Sequence, residues 1–277
     1  MDTENYSVLM SVYIKEKPEY LRQSMQSMFD QTVPTNDFVL VCDGELSDEL
    51  NETISDFEQK YPNILNVIRL DENRGLGYAL NRGIKYCKNE LVARMDSDDI
   101  SRNDRCERQL RLYADHPDIS VISGTIEEFI GNSNNLVSRR ILPRTNEEIL
   151  RFAKQRTPFN HMCAMYKLSE VEKAGGYKSL YYLEDYYLWI RMLLNGAVGY
   201  NIQEPLVWVR VDNGMYKRRG GLRYIRSQKE LFRYMRDRDF INSAEYISAI
   251  IKRSVISIMP SLLRKATYKI LLRKSPR

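Results

Sequence analysis

The sequence predicts an α/β protein: a mostly parallel central sheet flanked by helices, followed by a C-terminal helical extension. Three observations carry this. Short apolar runs alternate with segments of helical periodicity through the first hundred residues, the pattern of a parallel sheet covered on both faces. Carboxylates collect where those runs stop, and in such sheets ligands bind beyond the strand C-termini. Beyond about residue 222 only helical periodicity remains.

The elements follow in order. Residues 7–13 (SVLMSVY) read as a buried strand. Pro18 suits a first helical turn, and Tyr20, Leu21, Met25, Met28 and Phe29 recur at helical spacing. Residues 38–42 (FVLVC) are a second strand, followed by Asp43-Gly44 and an acidic helix over 48–61. Residues 64–70 form a third strand, leading to a helix through Leu80 and Ile84, and residues 90–95 form a fourth. Residues 103–115 read as a helix, 119–130 as a strand pair and 132–135 as a polar turn. Residues 184–195 (EDYYLWIRMLLN) make a short helix, and 213–221 (NGMYKRRGG) a Gly-rich basic loop.

A chain of 277 residues, 43% apolar and 29% charged, fits one large domain or a domain plus an extension. Cys42, Cys87, Cys106 and Cys163 form no CxxC pair, which argues against a zinc site or a disulfide framework and suits a reducing compartment. The opening MDTENY lacks the basic start and apolar core of a signal peptide, and no apolar run approaches the roughly 20 residues of a membrane span. Residues 246–277 carry eight basic residues and no acid; setting those eight charges aside turns the net +5 into −3 for residues 1–245. A nucleic-acid protein carries its basic patch on the folded body. A basic, apolar tail matches an anionic membrane surface instead.

Four motifs carry chemistry. LVARMDSDDI, 91–100, ends a strand-like run in Asp96, Asp98 and Asp99. Crowded carboxylates repel unless a cation sits among them, and clustered Asp oxygens are what Mg²⁺ or Mn²⁺ prefer; a helix-capping acidic turn is the other reading. NRGLGYALNRG, 73–83, has Gly75-x-Gly77 but then Leu80, so it fails the dinucleotide fingerprint. Its glycines allow backbone to approach a phosphate, or simply form a tight turn. Glu184-Asp185 supplies either a general base or acids that favour a helix start. YKRRGG, 216–221, offers Arg218 and Arg219 to a diphosphate, or is a solvated loop. Of the two histidines, His116 reads as structural and His161 as a core or rim residue.

In this order the motifs resemble those of family 2 inverting glycosyltransferases with the GT-A fold, over most of the chain from Ser7 to about Arg210. The pieces are SVLMSVYIKEKPEYLRQSMQSMFDQT, VCDG, NRGLGYALNRGI, ARMDSDD, RCERQL, GGYKSLYYLEDYYLWIRM and NIQEPLVWVR. The resemblance is strongest to bacterial enzymes that build O-antigen or capsule repeat units. It implies a GT-A catalytic domain over 1–221, with a nucleotide-sugar half at 1–99 and an acceptor half with the basic loop at 100–221, and an amphipathic basic extension at 222–277. It implies Asp98 as metal ligand with Asp96, and Asp185 as the base that deprotonates the acceptor. Asp43, Asn73, Gly75, Arg82, Asp96, Arg218 and Arg219 fall on the nucleotide-sugar side, and His161 and Glu184 on the acceptor side or rim. Relatives carry a His after the last catalytic-domain strand; here VRVDNGMYKRR leaves Asp212 or the two arginines for that position.

The implied activity is transfer of a hexose, glucose or galactose, from a UDP-sugar to a lipid-diphosphate-linked sugar, with inversion and a divalent Mn²⁺ or Mg²⁺ ion. Rival readings are a catalytically silent nucleotide-sugar-binding or scaffold protein at the membrane, and a nucleotidyltransferase. The latter wants a Gly-rich triphosphate loop after the first strand, where this chain reads YIKEKPEY. Ile247, Ile250, Ile251, Val255, Ile258, Met259 and Leu262 follow a helical stripe that Pro260 should break. The expected location is therefore cytoplasmic, at the inner face of the bacterial plasma membrane. No nucleic-acid partner is expected.

Overall fold

The computed structural model describes residues 5–211 and 220–259. Its first half is built from β1 (Tyr6–Val12), α1 (Pro18–Phe29), β2 (Asp37–Cys42), α2 (Asp48–Lys60), β3 (Leu65–Arg69), α3 (Leu76–Gly83) and β4 (Leu91–Asp96). β5 (Ile100–Ser101), α4 (Arg105–Asp115), β6 (Val121–Phe129) and β7 (Leu136–Arg140) follow. Then come α5 (Asn146–Ala153), β8 (Met165–Lys167), α6 (Leu168–Lys173), α7 (Glu184–Leu194) and β9 (Gly199–Arg210). We number the last two helices α8 (Leu222–Arg236) and α9 (Ser243–Ile258). The strands join in one sheet, ordered β3-β2-β1-β4-β8-β6-β9-β5, with β7 on β6.

The first four strands pair in parallel, as the alternation of strands and helices requires. Successive side chains go to opposite faces: Leu9, Val39 and Val41 join one core cluster, Val8, Met10, Phe38 and Leu40 the other. α1 and α2 cover the second cluster through Leu21, Met25, Leu50 and Ile54, and α3 and α7 cover the first through Leu80, Leu188 and Trp189. Pro18 opens α1, and the Ser47 side chain caps α2 by accepting from Leu50 N. Beyond β4 the sheet mixes directions: β8 runs antiparallel to β4 and β6, while β6 and β9 are parallel.

Residues 119–130 are not a strand pair. They hold one wholly buried strand, β6, whose hairpin partner β7 lies beyond the turn at 132–135. Gly124, the only residue in that run resembling a turn signal, is instead a point of close packing. A Cβ there would lie 2.6 Å from Leu206 Cδ1. The turn itself closes through Asn135 N donating to Asn132 O at 2.9 Å.

The extension is helical and partly docked. Leu231, Phe232 and Met235 of α8 are fully buried in the cluster that holds Trp189. α9 starts with a capping box between Asn242 and Glu245 and ends at Ile258, just before Pro260. Its predicted apolar stripe divides. Ile250 packs against the core, whereas Ile247, Ile251, Val255 and Ile258 are exposed. No helix among the described residues is long and apolar enough to cross a membrane.

Candidate active site

β1 lies between β2 and β4, and the shared register sets Val12 beside Cys42 and Ser11 beside Asp96. The residues that leave those strands therefore converge at one end of the sheet. Asp43 follows β2, is 3% exposed, and accepts from Arg74 N through Oδ1 and from Gly75 N through Oδ2, both at 2.9 Å. It thereby pins the turn into α3, where Gly75 takes φ +89°, the left-handed region open to glycine. Asn73 is exposed on that turn and Arg82 is half-buried in the last turn of α3.

Among the described residues, Asp96, Asp98 and Asp99 set carboxylate oxygens all within 4.8 Å of one another. The turn is clamped from several sides. Ser24 Oγ donates to Asp96 O at 2.6 Å, and Ser97 Oγ to Glu16 Oε2 at 2.7 Å. At the end of β9, Arg210 N donates to Asp99 Oδ1 at 2.8 Å and Arg210 Nε to Asp98 O at 3.1 Å. From inside the sheet, Arg94 pairs with Asp96. Burial, then the charges of Asp96 and Glu16, push Asp98 up to about 7. Burial and its two neighbours raise Asp99 well above the usual carboxylate range. A set of partly buried, mutually repelling oxygens fits a hard divalent cation, whose charge offsets both penalties.

A second group of acids comes from α7. Glu184 and Asp185 occupy its first turn, where backbone N–H groups favour negative charge, and Asp185 Oδ1 accepts from Tyr186 N at 2.6 Å. Burial, then Asp185, push Glu184 up to about 7; the Arg94 cation opposes that shift and Asp96 adds to it. Asp185 and Asp96 both act on the Tyr177 hydroxyl as well. The α7 acids and the aspartate turn thus lie within electrostatic reach of each other, 88 positions apart in sequence when counted from Asp96 to Glu184. α3 approaches the same corner: a Cβ on Gly77 would sit 3.2 Å from Glu184 Cβ.

His161 is 7% exposed, shares a 3.0 Å hydrogen bond with the Tyr177 hydroxyl, and meets the Trp189 ring edge-on. Burial, and next the nearby Arg94 cation, lower its pKa well below the usual value, so the ring is neutral. Arg105 and Gln109, both fully buried, explain how this segment is held. Arg105 donates to Arg94 O at 2.8 Å, Met162 O at 3.1 Å and Ala164 O at 3.2 Å. Gln109 donates to Ile122 O at 3.1 Å and Cys163 O at 2.9 Å. These bonds bind the His161 turn to β4 and β6.

Arg218, Arg219 and Asp212 lie outside the described residues. Sequence reasoning passed over Arg94, Asp99 and Arg210 as individual site residues. A charged residue inside the apolar run LVARM was the available signal for Arg94.

Comparison with known proteins identifies the family and the fold. The family model described as glycosyl transferase family 2 matches residues 7–173. The chain is 37% identical over 273 residues to the UDP-Gal:alpha-D-GlcNAc-diphosphoundecaprenol beta-1,3-galactosyltransferase of Escherichia coli, across 99% of this chain and 98% of that one. It is 35% identical over 267 residues to the amylovoran biosynthesis glycosyltransferase AmsE of Erwinia amylovora, across 95% and 98%. The crystal structure of S. aureus TarS 1–349 in complex with UDP-GlcNAc superposes with a TM-score of 0.68 at 16% identity, over 96% of this chain and 76% of that one, which identifies the fold. The chain belongs to glycosyl transferase family 2 and folds as a GT-A glycosyltransferase.

Proposed function

We propose that this chain transfers galactose or glucose from a UDP-sugar to a hydroxyl of a lipid-diphosphate-linked sugar, with inversion to a β-linkage, during O-antigen or capsular polysaccharide assembly. The observation that carries the reading is the aspartate turn facing the Glu184-Asp185 pair across one corner of the fold. Full-length likeness to an E. coli enzyme whose name gives UDP-Gal and a GlcNAc-diphosphoundecaprenol supports the donor and acceptor classes.

In this reading Asp98 and Asp96 hold the divalent ion, Mn²⁺ or Mg²⁺, which when bound supplies positive charge at the diphosphate. Asp43, Asn73, Gly75 and Arg82 frame the nucleotide, and Arg218 and Arg219 supply positive charge for the diphosphate. His161 and Glu184 line the acceptor side. Asp185 takes the proton from the acceptor hydroxyl as its oxygen bonds to the anomeric carbon. The bond from that carbon to the diphosphate oxygen breaks on the opposite face, releasing UDP. One positioned carboxylate and one displacement suit inversion; retention needs a nucleophile as well.

The lipid-linked acceptor is met at the inner leaflet of the plasma membrane, which α9 engages with Ile247, Ile251, Val255 and Ile258. The basic run of residues 264–277 adds about 1 kcal/mol per engaged Lys or Arg on an anionic leaflet.

The test is to offer the purified chain a panel of UDP- and GDP-sugars, Mn²⁺ and a synthetic GlcNAc-diphosphate-lipid. A β-linked disaccharide from UDP-galactose or UDP-glucose is expected. Transfer from none of the UDP-hexoses, or an α-linked product by NMR, would refute the reading.

A further inference from the structure

One cation reaches the aspartate turn from within the fold. Arg94 is 1% exposed and sits near the end of β4, paired with Leu9 of β1. Strand alternation turns Val92, Arg94 and Asp96 to the same face of the sheet, the face that also packs Tyr166, Tyr177 and Trp189. Arg94 Nη2 donates to Asp96 Oδ1. Its Nε and Nη1 are buried and have no hydrogen-bond partner among the described residues. The polar groups around them are already committed elsewhere: Tyr177 Oη bonds His161 Nε2 at 3.0 Å and donates to Tyr166 Oη at 3.2 Å.

Such an arrangement is poor stabilisation. A buried ion pair rarely exceeds a well-packed apolar pair, and unsatisfied guanidinium nitrogens make it worse. Asp96 is also the least enclosed partner, with its side chain 28% exposed. A carboxylate on a strand end has rotamer freedom that a donor held rigidly in the core removes. The backbone beneath is equally fixed, because Arg105 Nη2 donates to Arg94 O.

We propose that Arg94 is a positioning residue. Its guanidinium fixes the Asp96 carboxylate so that one oxygen stays turned toward the metal and diphosphate, and it acts on the ligand only through Asp96. This rests on the functional reading above. Outer partners of metal-binding carboxylates contribute about 10- to 100-fold to metal affinity, so the effect is measurable.

The test follows Mn²⁺ retained by the full chain in the presence of UDP, read from the free-Mn²⁺ EPR signal, with melting temperature recorded alongside. Arg94→Lys keeps the charge and loses the planar Nη2 donor that reaches Asp96 Oδ1; Arg94→Met loses both. Both are expected to weaken Mn²⁺ retention about 10-fold or more. In an Asp96→Asn background, Arg94→Met should add almost nothing. That double variant removes both charges together, so it keeps the test decisive if Arg94→Met alone folds poorly. Wild-type retention in the single variants, or a full additive loss on top of Asp96→Asn, would overturn the inference alone. Wild-type protein that takes up no Mn²⁺ with UDP would overturn the functional reading and this inference with it.

Discussion

Glu184 sits half-buried at the head of α7 with its carboxyl pushed up to about 7, first by burial and then by Asp185. The folded chain therefore holds a proton there that the unfolded chain sheds near pH 4.5. A raised acid of this kind contributes stability that is fully present below the unfolded pKa and is lost as pH rises through the folded one. Melting temperature of the metal-free protein should fall from pH 5 to pH 8. Asp98 and Asp99, raised in the same way, add to that fall, so Glu184→Gln should lessen it and gain on the order of 2 kcal/mol over wild type at pH 8. A variant with the same pH slope as wild type would assign the dependence elsewhere. At this scale the clustered acids are legible in the sequence, as an Asp run at the end of β4 and a Glu-Asp pair at the head of α7. Arg94 and Arg210 are not, since their roles come from contacts with Asp96 and with Asp98 and Asp99. Only the fold brings Arg210 to residues more than a hundred positions earlier.

α3 lies close against the parallel half of the sheet, and Gly83 sets that distance. A Cβ there would fall 2.5 Å from Val41 Cγ2 and 2.7 Å from Leu9 Cδ1. Gly83→Ala is expected to cost about 1–3 kcal/mol by overpacking, measurable in urea unfolding. It should also weaken UDP binding, because the other end of α3 carries the Gly75 turn pinned by Asp43. A fully stable variant would show that the helix has room to shift. β1 to β4 and their helices can be read from periodicity, since each is long enough to show one. β5 and β8 cannot: strands of two and three residues have no alternation to detect. The β6–β7 hairpin is misread for another reason. β6 is buried along its whole length although its sequence, VISGTIEEF, mixes apolar residues with Ser123, Thr125, Glu127 and Glu128, so Ser123-Gly124 reads as a turn inside what is one strand.

Across the whole molecule, α8 closes the core and α9 rides on it. Lys154 pairs with Glu245 at 3.6 Å, and Gly221 N donates to Ser257 O at 3.2 Å. Docking on the catalytic body and presenting an apolar face to solvent are thus compatible in one helix. Ile251 and Val255 are 59% and 52% exposed, so Ile251→Glu with Val255→Glu should leave the melting temperature nearly unchanged. The same pair should reduce cosedimentation with anionic vesicles, and undiminished binding would remove α9 from the membrane contact. The approach of these acids is also a property of the whole fold. They come from the end of β4 and the start of α7, and no local pattern links them. The proposed function divides labour between these two groups, the aspartate turn holding the donor and Asp185 receiving the acceptor's proton. The most direct measurement is Asp185→Asn assayed for turnover and, separately, for UDP binding with Mn²⁺. Turnover should fall by about 10²- to 10⁴-fold with UDP affinity unchanged. Near-wild-type turnover, or a loss of UDP binding in step with activity, would contradict it.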